Sequence, residues 1–143
     1  MLVWLFPLAY ALHVLEEWVG GFPEWLAAID GDGVSRRAFI LINTAAFILV
    51  IAAARAATRR EEQGWLAVSV ATILLVNGLL HVLGTLYTGT YSPGLVTSVI
   101  LYLPLGQLAL LRAWHQAASR QVAAGIFTGV ALHALVSLLA FAL

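Results

Sequence analysis

LVWLFPLAYALHVLEEWVG, residues 2–20, is the stretch on which the reading of this chain turns. It is close to the ~20 residues that cross a bilayer, yet it holds His13, Glu16 and Glu17. An ionisable side chain at membrane depth costs ~2.5–3.5 kcal/mol on insertion scales unless it is paired or faces a cavity. At 100° per residue, Phe6, Tyr10, His13, Glu16, Glu17 and Gly20 fall within about a third of the helix circumference, so the polar groups share one face and that face should point into a bundle. Residues 1–12 resemble a signal peptide with Ala9-Tyr10-Ala11 as its cleavage site, but they lack a basic start and contain Pro7, so a retained helix is expected.

Four further apolar stretches of spanning length follow, at about residues 36–56, 64–87, 95–114 and 120–142. Of 143 residues, 62% are hydrophobic and 10% charged, a composition that leaves too little polar surface for a water-soluble enzyme. The fold expected is an all-α integral membrane protein, one domain over residues 1–143, with five transmembrane helices and a short interfacial segment between the first two. Phe22-Pro23-Glu24-Trp25-Leu26 should form that segment and Gly31-Asp32-Gly33 should end it. Pro104 should kink the fourth span near Ile100, whose carbonyl it cannot bond. Seven arginines balance seven carboxylates and there is no lysine, so no basic stripe exists for nucleic acid. The absence of cysteine excludes disulfides, thiolate metal sites and cysteine nucleophiles. Arg55, Arg59, Arg60, Arg112 and Arg120 flank one side and only Arg36 and Arg37 the other, which puts the N-terminus in the cytoplasm and the C-terminus outside in a cell membrane.

Every span carries a polar group. The second offers Asn43, with Arg36 either snorkelling to the surface or turning in toward Glu17; the third offers Asn77 and His81; the fourth, Ser98 and Tyr102; the fifth, His133 and Ser137 in a small-residue stripe. Measured at 1.5 Å per residue, His13, Asn43, His81, Tyr102 and His133 all lie roughly 9–14 Å below the outer surface, which argues for a single site in the outer half of the membrane.

His13-Val14-Leu15-Glu16-Glu17 matches the H-x-x-E-E signature of the HXXEE family of small multi-pass membrane proteins. Asn77-Gly78-Leu79-Leu80-His81, Tyr91-Ser92-Pro93-Gly94 and Leu103-Pro104 are also similar to that family. The resemblance implies a membrane fold and a residue list, and it implies no reaction.

Two chemistries fit the residues. In the first, a divalent metal ion, zinc or iron, is bound by His13, Glu16, Glu17, His81 and His133, because imidazole and carboxylate at i, i+3 and i+4 present ligands to one point. Glu17, His13 and Tyr102 would be the catalytic groups, with Asn43, Asn77 and Ser98 as hydrogen-bonding supports. The enzyme would act on a small lipophilic substrate as a hydrolase, oxidoreductase or isomerase. In the second, no metal binds and a protonated Glu beside a His isomerises a lipid or sterol-like molecule. A proton or metal-ion transporter and a purely structural polar seam use the same residues. The partners expected are the lipid bilayer and a lipophilic small molecule, with assembly into a homo-oligomer left open.

Overall fold

The structure, a computed structural model, describes residues 2–31 and 33–142, without the side chains of residues 30, 141 and 142. After one 3₁₀ turn, Leu2–Trp4, helix α1 runs over Leu5–Gly20. Pro7 falls in its first turn, where a missing N–H costs nothing. Gly21, at φ 74°, ends the helix by returning its N–H to Glu17 O and Trp18 O, a left-handed cap that glycine adopts without strain. Helix α2, Phe22–Asp30, is the short segment expected between the first two spans, with Pro23 in its first turn. Gly31 closes it with an N–H bond to Ala27 O, and Asp32, assigned from sequence to that stop, lies outside the described residues.

Helix α3 covers Arg36–Arg59 and begins at Ser35, whose Oγ accepts the Ala38 N–H at 3.0 Å. Helix α4 is Gly64–Thr88, α5 is Leu95–Thr97, α6 is Leu103–Gln116 and α7 is Ser119–Ala142. Between α5 and α6, Ser98–Tyr102 form a π turn closed by the Leu103 N–H on Ser98 O. The distortion expected from Pro104 therefore takes the form of a widened turn. Pro104 sits in the first turn of α6, and the turn before it absorbs the register change. Among the described residues, five helical stretches, Leu2–Gly20, Arg36–Arg59, Glu61–Thr88, Leu95–Gln116 and Ser119–Ala140, are long and apolar enough to cross a membrane. The protein is an all-α membrane-type bundle. Large apolar side chains such as Leu86, Phe127 and Leu138 are exposed on its outside, as a lipid-facing surface requires.

Lipid tails are as apolar as leucine, so helices in a membrane gain little from burying apolar surface and must gain from close fit. α4 is the post against which that fit is made. A Cβ on Gly129 of α7 would lie 2.6 Å from Ser69 O, and one on Gly106 of α6 would lie 2.9 Å from Ala71 O. Both helices thus bring bare backbone onto α4. The other flank of α7 is different, because α3 and α7 pack far less against each other than either does against α4. They leave a cavity of about 530 Å³ walled by α1, α3, α4 and α7. Its lining follows α3 from Phe39 to Ala56, about 25 Å at 1.5 Å per residue.

Candidate functional site

At one end of that cavity α1 turns His13 and Glu17 inward. The i, i+4 spacing stacks them on one helix face, and both are buried, at 2% and 5% exposure. His81 of α4, 4% exposed, meets them from the facing helix. Glu17 Oε1 lies 3.2 Å from His81 Nε2 and 3.5 Å from His13 Nε2. One ligand atom from each of the three falls within 4.8 Å of the others.

The far nitrogen of each ring is held by a hydroxyl. His13 Nδ1 is 2.8 Å from Thr97 Oγ1, and His81 Nδ1 is 2.9 Å from Ser92 Oγ. Thr97 Oγ1 also lies 3.2 Å from Gly94 O; when it gives its own proton there, it accepts from His13 and the His13 proton is on Nδ1. Nε2 of His13 is then a bare acceptor aimed at a carboxylate, and it has no hydrogen-bond partner among the described residues. Two acceptors facing each other in a buried site require a cation between them or a proton added to one of them.

Gly94 makes the convergence sterically possible. A Cβ there would lie 2.7 Å from His81 Cε1 and 2.8 Å from His13 Cε1, and its φ of 103° is one that side-chain-bearing residues rarely adopt. The Tyr102 ring covers the other face of His13, with centroids 4.1 Å apart. Phe22 lies against His81 at 5.5 Å.

Not every residue expected in the site is there. Glu16, expected as a ligand, turns to the side. Its carboxylate accepts the Val96 N–H at 2.9 Å, the Thr97 N–H at 2.7 Å and the hydroxyl of Tyr91. One residue, 100° of rotation, separates it from Glu17, and the unsatisfied N–H groups that begin α5 claim it. His133 lines the same cavity from α7 but is not among the three clustered ligands; its Nδ1 is 3.4 Å from Ser137 Oγ. Asn43 accepts from Tyr10 OH at 2.7 Å and donates to Phe39 O, so it supports the cavity wall and touches none of the three. Asn77 Oδ1, Ser98 Oγ and Tyr102 OH are buried without a hydrogen-bond partner among the described residues.

Arg36 turns outward. It pairs with Glu24 at 2.6 Å and lies 5.6 Å from the Trp18 ring centroid, and its hydrogen bond holds the Glu24 carboxyl below the usual carboxylate range. Neither residue type nor helical spacing marks Ser92, Gly94, Thr97 or Tyr91 as part of a site; the fold brings them there. Loss of water around the Tyr91 hydroxyl, together with its bond to Glu16, pushes its pKa up to about 12.

The family described as "Protein of unknown function with HXXEE motif" matches residues 4–109. The chain belongs to the HXXEE family. No curated protein and no solved structure matches it. The matched residues include every group in the buried cluster and its two hydroxyl partners, while His133 lies beyond them. In this member the three fixed letters of the HXXEE motif divide: the histidine and second glutamate enter the cluster, and the first glutamate holds the loop that closes it.

Proposed function

We propose that His13, Glu17 and His81 hold one divalent metal ion, zinc or ferrous iron, and that the protein is a membrane enzyme acting on a lipophilic substrate admitted through the cavity beside it. The observation that carries this reading is the bare Nε2 of His13 directed at Glu17. Histidines that bind metal through one nitrogen almost always fix the other by a hydrogen bond, and both rings here do so. Ligands around a zinc ion at about 2.1 Å stand ~3.4 Å apart; the two Glu17 contacts, at 3.2 and 3.5 Å, are already near that spacing, and the widest separation, within 4.8 Å, needs to shorten by up to about 1.4 Å. Two histidines and one carboxylate are the ligand set of both hydrolytic zinc sites and non-haem iron oxygenases, each of which keeps positions open for water or substrate. A metal so held supplies Lewis acidity and lowers the pKa of a bound water.

Transport fits less well, because the inner half of the cavity is walled mainly by residues such as Leu49, Ala52, Ala53, Ala56 and Leu66, with Ser69 and Thr128 as its polar side chains and no ionisable group among the described lining residues there for an ion to follow. By the arginine asymmetry the cluster belongs to the outer half of the membrane. Reporter tags in the 20–35 and 58–63 connections test that orientation, and reversed labelling would overturn it.

Elemental analysis of protein purified in mild detergent tests the metal. About one equivalent of zinc or iron is expected, retained through dialysis and lost in His81→Ala. A protein that stays metal-free when both ions are supplied would overturn the reading and leave a proton shared by Glu17 and the imidazoles as the available chemistry.

A further inference from the structure

The cavity holds two polar groups that the metal reading leaves idle. Tyr102 is 2% exposed, and its hydroxyl, like Asn77 Oδ1, has no hydrogen-bond partner among the described residues although both side chains line the cavity. A buried polar atom left unsatisfied costs about 1–3 kcal/mol, so a pair of them beside an open cavity points to a ligand that satisfies both. They come from adjoining backbone: Asn77 precedes Gly78, where a Cβ would lie 3.3 Å from Tyr102 Cβ. Their chemistry is selective. The amide oxygen of Asn77 can only accept, and the Tyr102 hydroxyl can donate. A hydroxyl group gives a proton to the first and takes one from the second with a single atom. An ether, ester or aldehyde can take a proton but has none to give.

The rest of the cavity fixes what the hydroxyl is attached to. From Asn77 down to Trp65, twelve residues and about 18 Å along α4, the walls are mostly apolar; the polar side chains there are Ser69, whose hydroxyl donates to Trp65 O at 3.0 Å, and Thr128. A volume of about 530 Å³ drawn out over such a length suits one extended hydrocarbon chain and not a fused ring system. The sparse packing of α3 on α7 gives such a chain a lateral way in from lipid.

We infer that the cavity binds a long-chain lipophilic alcohol, its hydroxyl between Asn77 Oδ1 and Tyr102 OH and its tail directed toward Trp65. Because the Tyr102 ring lies on His13, the alcohol oxygen sits next to the cluster. The inference rests on the proposed function in taking the cavity as the substrate's place, and it adds the substrate's class.

The test uses a long-chain primary alcohol brominated at its far end, and the matching methyl ether, with detergent-purified protein and quenching of tryptophan fluorescence as readout. The alcohol should bind about tenfold more tightly than the ether, the ratio expected for one donated hydrogen bond to a buried acceptor, and Trp65→Phe should abolish the quenching. Asn77→Leu should bring the ratio to about one while the ether still binds, and Tyr102→Phe should lower it. Because Asn77 Oδ1 is unpaired, Asn77→Leu should not lower the melting temperature, so its failure to discriminate would not reflect unfolding. Equal binding of alcohol and ether by the parent protein would overturn the inference. Metal content measured on the same samples separates the two claims: metal present with no alcohol preference defeats the inference alone, and a preference without metal defeats the proposed metal centre alone.

Discussion

Glu16 and Glu17 are neighbours in sequence and identical in chemistry, yet the regions they enter are opposites. On the Glu16 side of α1 the carboxylate is saturated with donors, two backbone N–H groups and a phenol, and its role is to hold residues 91–97 in place. On the Glu17 side the carboxylate faces two imidazoles, and Nε2 of one of them, His13, has no hydrogen-bond partner among the described residues. A carboxylate with its hydrogen bonds complete is part of the scaffold. One that meets further acceptors at the head of a cavity is equipped to take something up.

The contrast breaks most completely at Gly94, where the two regions join. Gly94→Ala adds a methyl group against both imidazoles and forces a left-handed backbone on a residue with a Cβ. It should cost about 3 kcal/mol or more and abolish metal retention, read by thermal unfolding in detergent and by elemental analysis. Next comes Glu16→Gln, which removes the charge from three hydrogen bonds and should destabilise by about 2 kcal/mol. The folded fraction should keep its metal, and a variant that loses metal at unchanged stability would place Glu16 in the site after all. Glu17→Gln should do the reverse. Its stability should stay within about 1 kcal/mol of the parent or rise, since an amide is easier to bury than a carboxylate, while metal binding disappears. If it retained metal, the distinction between the two sides would collapse.

The smallest effect belongs to Tyr91. Its pKa is raised from 10.0 to about 12 in the folded protein, so whatever stability its bond to Glu16 contributes is fully present below pH 10 and is lost as pH climbs through about 12. Tyr91→Phe should lower stability slightly at neutral pH and remove that part of the alkaline decline, measured as the difference between the unfolding profiles of the two proteins. An unchanged alkaline profile would show that the bond is of no consequence.

The spans could be read from sequence because each is a long apolar run and because bilayer thickness fixes how long a run must be. The meeting of His13, Glu17 and His81 was also within reach, since helix spacing gives the face and rise per residue gives the depth. Glu16 was not, because its partners sit in the connection after α4, and a helical wheel carries no knowledge of a loop. That connection, Thr-Gly-Thr-Tyr-Ser-Pro-Gly, shows by its residue types only that one helix ends and the next begins. Only its fold shows Tyr91 and Ser92, with Thr97 just beyond, reaching back to α1 and α4. Ser98 and Tyr102 illustrate a subtler limit: an i, i+4 spacing sets them one turn apart on an α-helix, whereas they stand at the two ends of a π turn whose phase no regular helical wheel reproduces.

The partners of Glu16 lie 75, 80 and 81 positions further along the chain, and the hydroxyl that fixes His13 lies 84 further. During synthesis α1 therefore leaves the ribosome with two carboxylates and an imidazole, and with nothing yet made that can satisfy them. It is also the least apolar of the five spans. The first of these five helices is thus the one whose polar groups find their partners only after the fourth has emerged, and the site closes no earlier than that.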